Sequence, residues 1–257
     1  MAKRKADYLL IDISNSYTKL ACSTRSKVGR PARVRTKELS RAALLEFTAG
    51  RAVGTVIVSS VVPAKNSVIA RLWSSSRVLF IDANCDLGVG VEYPHPETIG
   101  ADRLANAAAV RELYGCPAIV VDFGTAVTFD VVSAEGNYIG GVIAPGLESM
   151  TSFLYQRTAL LPKLTLREPA MAIGRSTRAA MMSGAVYGYR GLVREILARI
   201  REESFPRRKV RVVATGGYAE LIARRLPEIE AVHPGLTLEG LRLIGNRNRG
   251  RGDSLGA

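Results

Sequence analysis

The chain has 257 residues, 47% apolar and 23% charged, and carries 36 Lys and Arg against 23 Asp and Glu for a net charge of +13. That length suits two compact domains, or one large one, with a substantial apolar core, and no apolar run nears the ~20 residues a membrane-spanning helix needs. The basic residues are spread along the chain, with clusters only at 3–5, 207–211 and 247–251 and no aromatic residues interleaved. This argues for a solvated basic surface rather than a nucleic-acid partner.

In chain order, Met1–Lys5 is basic like the start of a secretion signal. The apolar run that follows, Tyr8–Ile11, stops at Asp12, too short for a signal core, so a cytoplasmic protein is expected. Tyr8–Ile13 and Thr18–Cys22 predict strands around the turn Ser14-Asn15-Ser16. A helix at Arg41–Phe47, a strand at Val56–Val62, a helix at Val68–Trp73 and a strand at Val78–Ile81 follow. Residues 88–96 read as a loop and Asp102–Leu113 as a helix with Leu104, Ala107, Ala108 and Leu113 on one face. Gly115-Cys116-Pro117 breaks the pattern and predicts a domain boundary. Three more strands are predicted at Ala118–Phe123, Val127–Val132 and Tyr138–Ile143. A long helix runs from Thr177 to Glu203, where Leu192, Val193, Ile196, Leu197 and Ile200 keep the helical period. A strand at Val210–Ala214, a turn at Thr215-Gly216-Gly217 and helices at Tyr218–Leu226 and Thr237–Ile244 complete the reading. The expected organisation is a domain over 1–116, a second over 117–246 and a disordered basic tail over 247–257. Cys22, Cys85 and Cys116 are odd in number and widely spaced, and the histidines are His95 and His233 alone. Neither a disulfide framework nor a zinc site is expected.

The segment Leu9-Leu10-Ile11-Asp12-Ile13-Ser14-Asn15-Ser16-Tyr17-Thr18 recurs in pattern as Ile119-Val120-Val121-Asp122-Phe123-Gly124-Thr125-Ala126-Val127-Thr128. Each copy is strand, Asp, turn, strand, at the start of a predicted domain. A strand delivers its Asp to a fixed point at the strand's end, and the turn offers N–H groups and hydroxyls to an anion. The Asp would hold a metal or a metal-bound water rather than phosphate itself. Two such hairpins facing across a cleft would clamp a nucleotide's phosphates, whereas a single copy reads as an ordinary structural turn.

Thr215-Gly216-Gly217 is either a plain turn or a loop that lets a ligand approach the backbone at a helix N-terminus. Asp102, opening a helix after Gly100-Ala101, is either a helix-dipole carboxylate or a base that orients and receives a hydroxyl proton, with Arg103 on the substrate or the transferring phosphoryl group. Gly140-Gly141 and Ala144-Pro145-Gly146 read first as plain turns and second as loops for the approach of a substrate. Ser183, Gly184, Gly188 and Gly191 at helical spacing read as a close helix–helix contact, between subunits if not within one.

The order of these elements resembles one family, type III pantothenate kinase, of the actin-like superfamily of sugar kinases, acetate kinase and Hsp70 chaperones. The resemblance rests on IDISNSYTK (11–19), EYPHPETIGADRLANAAA (92–109), VVDFGTAVTFDVV (120–132), YIGGVIAPGL (138–147), IGRSTRAAMMSG (173–184), VVATGGYA (212–219) and LTLEGL (236–241). It implies an α/β fold of two ribonuclease-H-like domains around a central cleft, each a mixed sheet flanked by helices. It further implies transfer of the γ-phosphate of ATP, with Mg²⁺, to the primary hydroxyl of pantothenate, the first step towards coenzyme A. On that resemblance Asp12, Ile13, Ser14, Asn15, Ser16, Tyr17, Thr18 and Lys19 form the first ATP loop and Thr125 is a further ATP contact. Asp102 is the proton acceptor, and Tyr93, Gly100, Ala101, Asp102, Arg103 and Thr177 contact pantothenate. Asp122 binds a monovalent cation, K⁺ or NH₄⁺, and the protein is a homodimer. The family's first loop carries Gly where this chain has Ser14. If that position needs a left-handed backbone, or a close approach of the backbone to phosphate, Ser14 costs ~1 kcal/mol or more and ATP binds more weakly. The alternatives are a non-catalytic relative acting as a transcriptional accessory or nucleic-acid-binding factor, and an actin-like kinase for a sugar or acetate.

Overall fold

The computed structural model describes residues 4–249. The chain forms two compact units, one running to Leu113 and taking the chain back from Gly235, the other spanning Tyr114–Pro234.

In the first unit, β1 (Arg4–Ile13), β2 (Tyr17–Ser23), β3 (Ala32–Arg35), β4 (Arg51–Ser60) and β5 (Val78–Phe80) form a mixed sheet ordered β3-β2-β1-β4-β5. β1 pairs antiparallel with β2 and parallel with β4. Side chains alternate across a strand, so Leu9, Ile11 and Ile13 point to one face. There they join Leu20, Val56, Val58, Leu44 of α1 (Arg41–Thr48) and Ile69 of α2 (Pro63–Ala70) in an apolar core. Proline at the first position of α2, which needs no N–H partner, starts that helix five residues before the Val68 expected from apolar spacing. The two-residue strand β6 (Gly90–Val91) lies in the segment read as loop, before α3 (Ala101–Tyr114).

The second unit holds β7 (Ala118–Phe123), β8 (Ala126–Val132), β9 (Asn137–Pro145), α4 (Leu147–Arg157), α5 (Thr177–Ser204), β10 (Arg211–Gly216), α6 (Ala219–Ala223) and β11 (Ala231–Val232). Its strands run in the order β11-β10-β7-β8-β9. Ile119, Val121, Phe123, Phe129, Val212 and Ala214 present one face to Val186, Tyr189, Val193 and Leu197 of α5. Arg190, buried on α5, donates to both carboxylate oxygens of Glu168 at 2.9 and 2.6 Å and to the Leu221 and Ile222 carbonyls. These bonds hold the Glu168 carboxyl below the ordinary carboxylate range.

Three differences from the sequence reading concern the organisation. The last helix, α7 (Leu236–Arg247), belongs to the first unit and not to the second domain of 117–246. Its Gly245 lies against Ile57 and Tyr8, Asn246 accepts a bond from Tyr8, and Thr237 donates to buried Asn106 of α3 at 2.9 Å. The structural division falls at Leu113/Tyr114, ahead of the expected 116/117 break. The tail expected to be disordered from 247 is held through its first three residues. Arg247 ends α7 and pairs with Asp86 and Glu112, Asn248 bonds the Asp86 backbone, and Arg249 donates to Tyr8. The rest of that segment, 250–257, lies outside the described residues. The glycines of the α5 stripe make no close helix contact among the described residues: a methyl on Gly184, Gly188 or Gly191 would meet nothing within 4 Å.

Candidate active site

The first Asp hairpin stands at the end of β1. Asp12 is buried, at 2% exposure, with Lys19 directly across the antiparallel ladder and its Nζ 3.8 Å from Asp12 Oδ2. Ile13 and Thr18, both expected in the ATP loop, are wholly buried, while Ser14, Asn15, Ser16, Tyr17 and Lys19 reach the surface. The turn is strapped by Thr36, which the sequence reading missed. Its N–H donates to Ser16 O at 3.1 Å, its hydroxyl to Ser14 O at 2.6 Å, and the same hydroxyl lies 3.1 Å from Thr18 Oγ1. Tyr17 carries the Arg33 guanidinium 3.4 Å above its ring, a cation–π contact that fixes the turn's flank. Ser14 does not adopt a left-handed backbone: among the described residues the one non-glycine residue that does is Arg207, at φ 64°. The strain expected at Ser14 is absent.

The same end of this unit carries Asp102. Val61, next after β4, donates its N–H to Ile13 O at 3.0 Å. A methyl on Gly100 would lie 3.5 Å from Val61 Cγ1 and 2.6 Å from Asp102 Oδ1. The missing side chain at Gly100 is what lets the carboxylate fold back over the start of α3, where Oδ1 accepts the Arg103 N–H at 2.9 Å. The strand end and the Asp12 turn are thus tied by the Val61–Ile13 bond, and the Val61 side chain faces the position a Gly100 methyl would take. Tyr93 is 36% exposed in the segment before α3.

The second hairpin lies in the other unit. Asp122 ends β7, with Thr128 across the antiparallel ladder and Thr215 beside it on parallel β10. Asp122 is half-buried. A methyl on Gly216 would stand 2.5 Å from Asp122 Oδ1 and 2.6 Å from the Phe123 backbone, and Gly216 has φ +93°. This position tolerates no side chain. Thr215 and Gly216 are the last residues of β10, so the turn expected at 215–217 starts later. Thr125 is exposed, and its carbonyl accepts bonds from Gly146 N at 3.1 Å and Ser149 Oγ at 2.8 Å. These come from the first turn of α4, a helix with no counterpart in the sequence reading. Tyr218 closes the cluster, its N–H on Phe123 O and its hydroxyl on Glu148 at 3.0 Å. Thr177 sits apart from these loops in sequence, exposed at the first position of α5, whose N-cap is Ser176.

The family model for type III pantothenate kinase matches residues 8–199. This chain belongs to that family. Type III pantothenate kinases from Akkermansia muciniphila (50% identity over 94% of this chain and 99% of that one) and Methylacidiphilum infernorum (42%, over 92% and 87%) are similar along nearly their whole lengths. Among solved structures, similar folds occur in a Campylobacter jejuni protein assigned to the Baf family of transcriptional activators (TM-score 0.61, 18% identity, 93% and 98% covered) and in an inorganic polyphosphate/ATP-glucomannokinase from Arthrobacter (0.50, 14%, 94% and 99%). Those two likenesses concern the fold alone. The kinase carries both Asp hairpins and the Gly-Ala-Asp-Arg helix start within the matched span. Among the described residues, no three His, Cys, Asp or Glu side chains gather as a metal cluster. The donors here are instead the Asp122 carboxylate, which fills the volume a side chain at Gly216 would need, and a buried threonine hydroxyl at 215 that has no hydrogen-bond partner among the described residues. An all-oxygen set of low charge suits a hard cation of low charge. No helix of the described residues is long and apolar enough to cross a membrane.

Proposed function

We propose that this kinase transfers the γ-phosphoryl group of ATP to the primary hydroxyl of pantothenate, giving 4′-phosphopantothenate and ADP at the first step of coenzyme A synthesis. The observation that carries the reading is the setting of Asp102: Val61, bonded to Ile13 O of the Asp12 hairpin, stands 3.5 Å from where a Gly100 methyl would lie, and Gly100 lets the Asp102 carboxylate fold over the helix start.

In this reading the hydroxyl oxygen of pantothenate bonds to the γ-phosphorus as the bond to the β,γ-bridging oxygen breaks. Asp102 orients the hydroxyl and receives its proton. An ordinary carboxylate suffices, because the transition state is loose and the oxygen needs little prior activation. Arg103 neutralises charge on the transferring group or the pantothenate carboxylate, with Tyr93, Gly100, Ala101 and Thr177 as further substrate contacts. Ser14, Asn15 and Ser16 offer N–H groups and hydroxyls to phosphate, Lys19 adds positive charge, and Thr125 is the ATP contact of the second unit. When bound, Mg²⁺ at the phosphates and a monovalent cation at Asp122 would offset the phosphates' negative charge. A coupled assay with pantothenate, ATP and Mg²⁺, run with and without K⁺, tests the reading. Turnover of sugars or acetate in preference to pantothenate would overturn it.

A homodimer is part of the same reading. It is supported by large apolar side chains left exposed on α4 and α5: Met150, Phe153, Leu154, Tyr155 and Tyr187. Light scattering on the purified chain tests it, with a mass near 55 kDa expected from two chains of 27.7 kDa.

A further inference from the structure

We propose that Thr215 is a second ligand, beside Asp122, for the monovalent cation. The proposal rests on the reading above that Asp122 holds that cation.

Thr215 is wholly buried, at 0% exposure, and its Oγ1 has no hydrogen-bond partner among the described residues. A buried hydroxyl left unpaired is costly, and such groups ordinarily find a partner. Thr215 and Asp122 are register partners on adjacent parallel strands, so their side chains leave the sheet on the same face. The carboxylate lies low over the strand end that carries the hydroxyl, since a methyl on Gly216 would come within 2.5 Å of Asp122 Oδ1.

The internal repeat supplies a second argument. In the first copy, Asp12 has buried Ser59 as its partner on the parallel strand, again with an unpaired hydroxyl, and Lys19 across the antiparallel one. In the second copy, Thr215 takes the place of Ser59, but the residue across from Asp122 is Thr128. The first copy therefore sets an ammonium group across from its carboxylate, and the second sets a neutral hydroxyl residue there. An external monovalent cation at the second copy restores the charge pattern of the first, and Thr215 Oγ1 gains in it the partner it lacks.

The test is a thermal-melting titration of the full chain with KCl, total salt held constant with tetramethylammonium chloride, in Mg²⁺ and a non-hydrolysable ATP analogue. Wild type should show a saturable rise in melting temperature, and Asp122→Asn should lose it. Thr215→Val should raise the half-saturating K⁺ concentration about tenfold, yet melt no lower than wild type without K⁺, because a methyl replaces an unpaired hydroxyl. Thr215→Ser should bring the half-saturation point back to that of wild type. A wild-type half-saturation point in Thr215→Val, with the response lost in Asp122→Asn, overturns the proposal and leaves the reading of Asp122 standing. A Thr215→Val chain that melts well below wild type without K⁺ overturns it too, by showing that the hydroxyl serves the fold. No saturable response in wild type overturns both.

Discussion

Asp122 and Gly216 are locked together: the carboxylate occupies the volume that any side chain at 216 would need. Gly216→Ala combines a left-handed backbone at φ +93° with a 2.5 Å collision, and should cost ~1–3 kcal/mol of stability. It should also weaken activity by displacing Asp122. Gly124→Ala is the contrast, since its methyl meets nothing nearer than 3.4 Å and the backbone there is not left-handed. It should change stability by less than ~0.5 kcal/mol. Urea unfolding of both variants measures the difference.

Ser14 replaces a family glycine without backbone strain, so restoring the glycine brings no relief. Ser14→Gly should lower stability by ~0.4–1 kcal/mol through the looser unfolded chain and should not lower the KM for ATP. A KM several times lower in the variant would show that Ser14 is indeed a handicap to nucleotide binding.

Asp102→Asn separates the two meanings of this residue. Asparagine keeps an Oδ1 for the Arg103 N–H that Asp102 now accepts at 2.9 Å. If Asp102 receives the substrate proton, kcat should fall by ~10²–10⁴ with the melting temperature little changed. If it serves only the helix dipole, the rate should hold while stability drops by up to ~1 kcal/mol.

Glu168 ties the pH dependence of the second unit to Arg190. Because the bonds from Arg190 hold its carboxyl below the ordinary 4.5, the pair's contribution is fully present above that value. It is lost as pH falls from 4.5 through the depressed native value. Glu168→Gln should cost ~1–3 kcal/mol at neutral pH and flatten the acid limb of the melting curve below the ordinary carboxylate range.

The strands around both Asp residues were legible because each is a continuous apolar run, buried on both faces and closed by a polar turn. Helix α4 was not, for its large apolar residues Met150, Phe153, Leu154 and Tyr155 face outward, so no core-facing stripe announces it. β3 is the four residues Ala-Arg-Val-Arg, too short and too charged to stand out. The Asp residues themselves could be read from the repeat. Thr36, Ser59 and Thr215 could not, because each matters only through a partner fixed by strand pairing or by a chain crossing far away in sequence. A division drawn along the chain also cannot see that α7 returns to β1.

That return sets the order in which the protein can be made. The sheet bearing Asp12 lacks its covering helix until residues 236–247 have left the ribosome, whereas the unit from Tyr114 to Pro234 is complete in sequence before then. During synthesis the unit that begins second is therefore the first that can finish. A premature stop between Pro234 and Gly245 removes the lining of Tyr8 and Ile57, so its damage falls at the opposite end of the gene from the lesion, on the strand that ends in Asp12.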